Sequence, residues 1–104
     1  MIIKIKGEWS SRQVWLNGQT LFPGPSQKIY NHSPDGFNWG YGGSGPAQLA
    51  LAILLEFYDE KYAIQNHQDF KWWLISRLPQ SDFEITIDMT DWENRKEEAI
   101  YETH

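Results

Sequence analysis

The chain has 104 residues, of which 40% are hydrophobic and 15% aromatic, and its 14 acidic and nine basic side chains give a formal charge of −5 at pH 7. This length and composition predict one folded domain over residues 1–104 rather than a disordered chain or two separate cores. The acidic balance argues against non-specific nucleic-acid binding, and the absence of cysteine excludes disulfides and thiolate chemistry.

The N-terminal third reads as extended structure. Residues 2–6 alternate isoleucine with lysine, the period of a half-buried strand. Val14–Leu16 and Gln19–Phe22 flank Asn17-Gly18, a dipeptide that accepts the positive φ angles of a type I′ hairpin turn. Beyond the stop at Pro23–Pro25, we expect a short extended segment at Lys28–Tyr30 and a β-turn at Ser33–Gly36.

The main helix is expected to begin near Gly45 or Pro46, with Ser44 or Gly45 as its cap. Residues 47–58 are apolar on nearly every face, which predicts that this helix is the buried centre of the fold. A second helix is predicted to start after Asn66, with Asp69 in its first turn, and to stop at Pro79.

The C-terminal part predicts one more strand and one more helix. Phe83–Met89 alternates apolar and polar residues, and Thr90–Glu93 matches a capping box that opens an acidic helix to about Glu102. The predicted fold class is therefore α+β. Its antiparallel sheet, made of the N-terminal hairpin and a later strand, packs against a buried central helix and further helices.

The glycine-rich segment before the central helix is the strongest candidate site. Five of the eight glycines lie between residues 36 and 45, where a helix N-terminus can direct free N–H groups at an anion. The segment also carries aromatic rings that can stack on a planar ligand and polar groups for its edges. The expected ligand-binding residues are His32, Asn38, Trp39, Tyr41, Gly42, Gly43, Ser44 and Gly45.

Two interpretations of this segment stay open. In one it binds an anionic ligand; in the other it is only a tight loop that folds Trp39 and Tyr41 over the central helix. It matches neither a phosphate-binding P-loop nor the dinucleotide fingerprint.

No metal site or cofactor is predicted. His32, His67 and His104 lack metal-ligand spacing. His32 and Asp35 form a conceivable acid–base pair, which keeps a small hydrolase as a third and weaker hypothesis. Ser44 has no nucleophile-elbow context.

The tryptophans suggest a contact surface. Adjacent helical residues point about 100° apart, so Trp73 fits the core stripe with Phe70 and Trp72 becomes a candidate partner-binding residue together with Trp92. The alternative is that Trp72 packs on the C-terminal helix through Trp92. Six tryptophans in so short a chain also favour an exposed apolar patch and a homodimer that covers it.

Residues 31–54, which read NHSPDGFNWGYGGSGPAQLALAIL, resemble the signature of a small uncharacterised domain family encoded on bacterial plasmids, phages and integrated elements. Members also carry a Val-x-Leu-Asn/Asp-Gly hairpin, here Val14–Gly18, and the resemblance covers about residues 12–60. It implies a mobile-element setting, in which small proteins often antagonise host defence, and it implies no assigned activity.

These observations lead to a non-enzymatic, cytoplasmic binding protein that holds an anionic, nucleotide-like ligand at the glycine-rich segment. The main alternative is an acidic inhibitor that docks on a host protein without a small ligand. The N-terminus is too short and charged for a signal peptide, and no apolar run approaches the ~20 residues that cross a membrane.

Overall fold

The computed structural model describes the backbone of residues 1–102 and the side chains of residues 1–95. The elements in chain order are β1 (Ile2–Glu8), β2 (Gln13–Leu16), β3 (Gln19–Leu21), α1 (Gly24–Ile29), α2 (Ser44–Phe57), α3 (Glu60–Trp73), a 3₁₀ turn (Ile75–Arg77), β4 (Phe83–Asp88) and α4 (Met89–Glu102). No helix in this described part of the chain is both long and apolar enough to span a membrane.

The four strands form one antiparallel sheet in the order β3-β2-β1-β4. Along β1, Ile3 and Ile5 are fully buried while Lys4 and Lys6 are exposed. Ile5 pairs with Leu16 on one side and with Ile85 on the other, so the apolar residues of neighbouring strands share one face. That face packs against the helices, which confirms the predicted α+β fold and its antiparallel sheet.

The hairpin between β2 and β3 forms as predicted. Asn17 has φ 51° and Gly18 has φ 82°, the two positive values that a type I′ turn requires. The Asn17 side chain also accepts a hydrogen bond from the backbone N–H of Lys4 at 2.9 Å, which ties the turn to β1.

Helix α2 is the centre of the core, as its composition predicts. All ten residues from Gly45 to Leu54 are buried. The predicted cap is wrong by one residue: Gly43 is the N-cap and makes no side-chain capping hydrogen bond. A glycine fits there because the Tyr41 ring lies where a Cβ atom would project.

Residues 24–29 form α1, so the predicted extended segment at Lys28–Tyr30 is wrong. Pro25 suits a first helical turn, and the Ser26 hydroxyl donates to the Pro23 carbonyl at 2.8 Å. Ser26 is buried and its hydroxyl accepts a hydrogen bond from Gln48 of α2. This tertiary contact is invisible in the local sequence pattern.

Helix α3 begins at Glu60, seven residues before the first position after Asn66. The Asp59 carboxylate caps it by accepting from the Tyr62 N–H at 2.8 Å, so Asp69 is not in its first turn. The helix ends at Trp73 rather than at Pro79, because a 3₁₀ turn follows. Its buried residues in the first three turns are Ala63 and His67, which do not form an apolar stripe in the sequence.

Helix α4 starts at Met89 and follows β4 without a gap. The predicted capping box is wrong, because Thr90 already lies inside the helix. The Asp88 carboxylate takes the capping role and accepts from the Thr90 N–H at 2.9 Å.

Candidate functional site

The glycine-rich segment runs as a loop from the core to the start of α2. Gly36, with φ 105°, and Gly40, with φ 85°, adopt backbone conformations that L side chains rarely reach. The Gly40 N–H donates to the Ile75 carbonyl at 3.0 Å, and its carbonyl accepts from the Gln80 amide at 3.2 Å. The loop is therefore fixed to the segment that follows α3.

Three further glycines are closely packed against neighbouring residues. A Cβ atom on Gly42 would collide with the Trp72 ring, and one on Gly43 would collide with the Tyr41 ring. At Gly45 a Cβ atom would lie 2.6 Å from the Cβ atom of Asn38. The packing of the loop alone therefore accounts for these glycines, as the structural interpretation of the segment expects.

Trp39 does not take the ring-stacking position expected of it. Its side chain is fully buried, with Trp9 and Phe83 edge-on at 5.6 and 5.0 Å between ring centroids. The indole N–H donates to the Ser81 carbonyl at 3.0 Å. Trp39 is thus a core residue with no ring face open to a ligand.

Asn38 joins the loop to the turn between β1 and β2. Its Oδ1 atom accepts from Arg12 Nε at 3.0 Å and from the Trp39 N–H at 2.9 Å, while Nδ2 donates to the Tyr41 hydroxyl at 3.3 Å. The Arg12 guanidinium lies on the Trp9 ring, 3.5 Å from its centroid. Asn38 therefore holds the exposed Tyr41 side chain by its hydroxyl.

Lys71 and Trp72 of α3 pack against the other side of the loop. The Lys71 ammonium donates to the Gly42 carbonyl at 3.0 Å and lies 4.4 Å from the centroid of the Trp72 ring. Lys71 is only 7% exposed, whereas Trp72 is 57% exposed. We call the side chains of Tyr41, Lys71 and Trp72, with the backbone of Gly42–Ser44, the loop–α3 surface.

His32 pairs with His67, which precedes Lys71 by one turn of α3. Its Nε2 atom is 2.9 Å from Nε2 of His67, and its ring stacks on Tyr30 at 4.1 Å between centroids. Burial first, and then the neighbouring His67 and Lys71, lower the pKa of His32 below its ordinary value. Among the described residues no hydrogen bond joins His32 to Asp35, so the acid–base pair required by the hydrolase hypothesis is not formed.

Gln48 fixes the segment that carries His32. This fully buried side chain of α2 accepts from the N–H groups of His32 and Ser33 at 2.8 and 3.0 Å through Oε1. Its Nε2 atom donates to the Ser26 hydroxyl at 2.8 Å and to the Tyr30 carbonyl at 3.1 Å. One amide thus positions both α1 and the segment that leads into the loop.

The two predicted partner-binding tryptophans have different surroundings. Trp92 is fully buried and contacts Phe70 and Trp73, so it presents no surface to a partner. Trp73, not Trp72, makes the contact to α4, which leaves Trp72 exposed over Gly42.

The sequence thus located the loop and Trp72 but missed four residues that surround them: Arg12, Gln48, His67 and Lys71. Gln48 carries a usable signal, because it is a lone polar residue in an apolar helical run. His67 and Lys71 stand four residues apart on one helix face, a spacing that indicates a shared surface once the helix is known to include both. His104 lies outside the described residues.

Comparison with known proteins identifies the family and no individual relative. No curated protein and no solved structure matches the chain. A family model matches residues 6–95, which extends the similarity from the hairpin and the loop through β4 into α4. The chain belongs to this family, a family of unknown function (DUF6166).

Proposed function

We propose that the protein is a non-enzymatic binding protein that holds a small anionic, nucleotide-like ligand at the loop–α3 surface. The observation that carries this proposal is the Lys71 ammonium. The Lys71 side chain is only 7% exposed, and among the side chains of residues 1–95 no carboxylate oxygen lies within 4.0 Å of its ammonium. A buried charge is costly unless an opposite charge compensates it, and an anion at this surface would supply that charge.

The start of α2 adds backbone donors to the same surface. The first N–H groups of a helix have no partner within the helix, and the helix dipole is positive there. Gly43 caps α2 without a side-chain hydrogen bond, and Ser44 is exposed. The N–H group of exposed Ser44 therefore supplements the ammonium of Lys71 in the proposed site.

Two exposed aromatic rings flank these donors and fit the ring of a nucleotide. Trp72 lies against Gly42 and Tyr41 lies against Gly43, with 57% and 42% of their surfaces exposed. Stacking on such a ring contributes about 1–3 kcal/mol per base. In this proposal they take the stacking role that the burial of Trp39 removes.

The first experiment asks whether a ligand exists. Protein purified from cells is denatured, and the released small molecules are identified by mass spectrometry. Ligand-free protein is then titrated by calorimetry with mono-, di- and cyclic nucleotides. We expect at least one of these compounds to bind.

Matched variants test where the ligand binds. Lys71→Met is compared with Lys61→Met, an exposed lysine on the same helix, and Trp72→Ala with Phe22→Ala, an exposed aromatic residue elsewhere. We expect Lys71→Met and Trp72→Ala each to weaken ligand binding about tenfold, which for Trp72→Ala is the effect of one lost stacking contact. The two control variants should bind the ligand as the parent does. A folded protein that releases no small molecule and binds none of the panel would refute the proposal.

A second candidate function is an acidic inhibitor that docks on a host protein. It is favoured by the exposed rings of Trp72 and Tyr41 in a chain of net charge −5, since exposed aromatic residues are common anchors of protein interfaces. For this function Trp72→Ala would abolish partner binding while every nucleotide titration stays flat.

The setting that we propose follows from the resemblance to proteins of mobile elements. A nucleotide-like ligand in the cytoplasm fits a protein that sequesters a signalling nucleotide of the host, and a docking surface fits a cap on a host enzyme. Both would antagonise host defence. This step rests on an analogy of context.

A further inference from the structure

The His32–His67 contact is a hydrogen bond whose direction can be assigned. Nδ1 of His67 lies 3.1 Å from the Ala63 carbonyl and 2.9 Å from the Ile64 carbonyl, and carbonyl oxygens only accept. His67 must therefore carry its proton on Nδ1, which leaves Nε2 as the acceptor in the neutral ring. The proton between the two rings then belongs to Nε2 of His32, which donates across the 2.9 Å contact.

This assignment limits the pair to one additional proton. Protonation of His32 at Nδ1 preserves its Nε2–H donor and gives a charge-assisted hydrogen bond to neutral His67. With a second proton, on Nε2 of His67, two N–H donors would point at each other across the 2.9 Å contact. The pair therefore changes its charge in one step, between zero and +1.

Burial of the His32 ring and the positive charge of Lys71 oppose this proton. The charged or titratable groups that face His32 are His67 and Lys71 from α3 and Tyr30 from its own segment. No carboxylate among the described side chains hydrogen-bonds to either ring. Lys71 follows His67 by one helical turn, and its positive charge is one cause of the lowered pKa of His32.

We propose that anion binding at Lys71 is coupled to the uptake of one proton from solvent by the His32–His67 pair. The inference rests on the proposed function. An anion that neutralises Lys71 removes one of the causes that disfavour protonation of His32, although burial of the ring remains, so the proton binds more readily. By reciprocity, protonation of the pair strengthens anion binding.

The first test needs no ligand. Histidine resonances are followed by NMR from pH 8 to pH 5 in the parent, Lys71→Met and Lys61→Met, and they are assigned with His32→Gln and His67→Gln variants. We expect Lys71→Met to raise the titration midpoint of His32 and Lys61→Met to leave it unchanged. An unchanged midpoint in a folded Lys71→Met protein would overturn the coupling.

The second test uses sulfate, whose charge stays constant across this pH range. Its affinity is measured by NMR at pH 7.5 and pH 5.5, against chloride at equal ionic strength. We expect the parent to bind sulfate about fivefold more tightly at the lower pH, near the lower end of measured couplings. In His32→Gln the two affinities should agree. Sulfate should also raise the midpoint of His32 in the parent but not in Lys71→Met.

The results separate the two proposals. If sulfate or a nucleotide binds with equal affinity at both pH values, and does so in His32→Gln as well, the proton coupling is wrong and the anion site stands. If no anion binds at either pH, the anion site itself is wrong and the coupling fails with it.

Discussion

Gln48 makes four hydrogen bonds, one to α1 and three to the segment of residues 30–33. Its partners are the Ser26 hydroxyl, the Tyr30 carbonyl and the N–H groups of His32 and Ser33. None of these backbone groups belongs to a sheet. Without the amide, the segment that presents His32 to α3 would have buried polar groups without partners.

We therefore expect Gln48→Leu to lower the free energy of unfolding by about 3 kcal/mol, because unpaired buried polar groups cost about 1–3 kcal/mol each. Urea denaturation of the variant measures the loss. Gln65→Leu, at an exposed position of α3, is the control and should unfold like the parent. Equal stability of all three proteins would show that the Gln48 hydrogen bonds contribute no net stability.

The lowered pKa of His32 predicts a pH dependence of stability. The folded state disfavours the charged imidazole of His32. The contribution of this ring to the free energy of unfolding is therefore fully present above its ordinary pKa of about 6.5. It is lost as the pH falls from there through the lower pKa of the folded state. We expect the free energy of unfolding to decrease from pH 7.5 to pH 5.5, and His32→Gln to show a smaller decrease. Parallel pH profiles for the two proteins would contradict this.

At the scale of the residue, the sequence predicted the positions of the loop and of an exposed tryptophan better than the contacts that individual side chains make. It located a loop at residues 36–45 and an exposed Trp72, because glycine content and the angle between adjacent helical residues are local properties. It did not predict that Trp39 fills the core or that His32 meets His67. Both depend on contacts between residues more than 30 positions apart, which no local pattern encodes.

At the scale of the element, α2 shows why strongly periodic or uniformly apolar segments are predictable. Its burial follows from composition alone, and the sheet follows from alternation in β1 and β4. The start of α3 was misplaced because polar side chains surround its few buried positions, so the helix is specified by packing on α2. The short α1 likewise depends on Gln48 rather than on its own sequence.

The central position of α2 predicts that its leucines dominate stability. Leu51 and Leu54 are fully buried, and truncating either to alanine should cost about 2–5 kcal/mol through lost contacts and the cavity that remains. Thermal and urea denaturation give the measurement. Leu55→Ala, at a half-buried position of the same helix, should cost less. Either core variant matching the parent in stability would contradict the central role of α2.

At the scale of the whole molecule, two large apolar side chains outside the loop–α3 surface remain exposed. Tyr30 is 53% exposed, and Ile64 of α3 is 40% exposed. His32 stacks on Tyr30 and contacts His67, which follows Ile64 by three residues, so both side chains border the histidine pair. An apolar patch of this kind is most simply covered by a second copy of the chain.

We accordingly expect a homodimer in sedimentation experiments at micromolar concentration, with a mass of twice 12.2 kDa. Ile64→Lys should shift the equilibrium towards the monomer, because it places a charge in the apolar region. Lys61→Met on the same helix is the control. A parent protein that sediments only as a 12.2 kDa species over this range would contradict dimerisation.

The exposure of Trp72 makes its intrinsic fluorescence a probe of the loop–α3 surface. All six tryptophans lie within residues 1–95, and Trp72 is the one whose side chain is exposed. A quencher dissolved in water therefore reaches the indole of Trp72 first. The fluorescence that it quenches comes mainly from the loop–α3 surface. Iodide, which the neighbouring ammonium attracts, should quench this emission more efficiently than neutral acrylamide does. That difference should vanish in Lys71→Met.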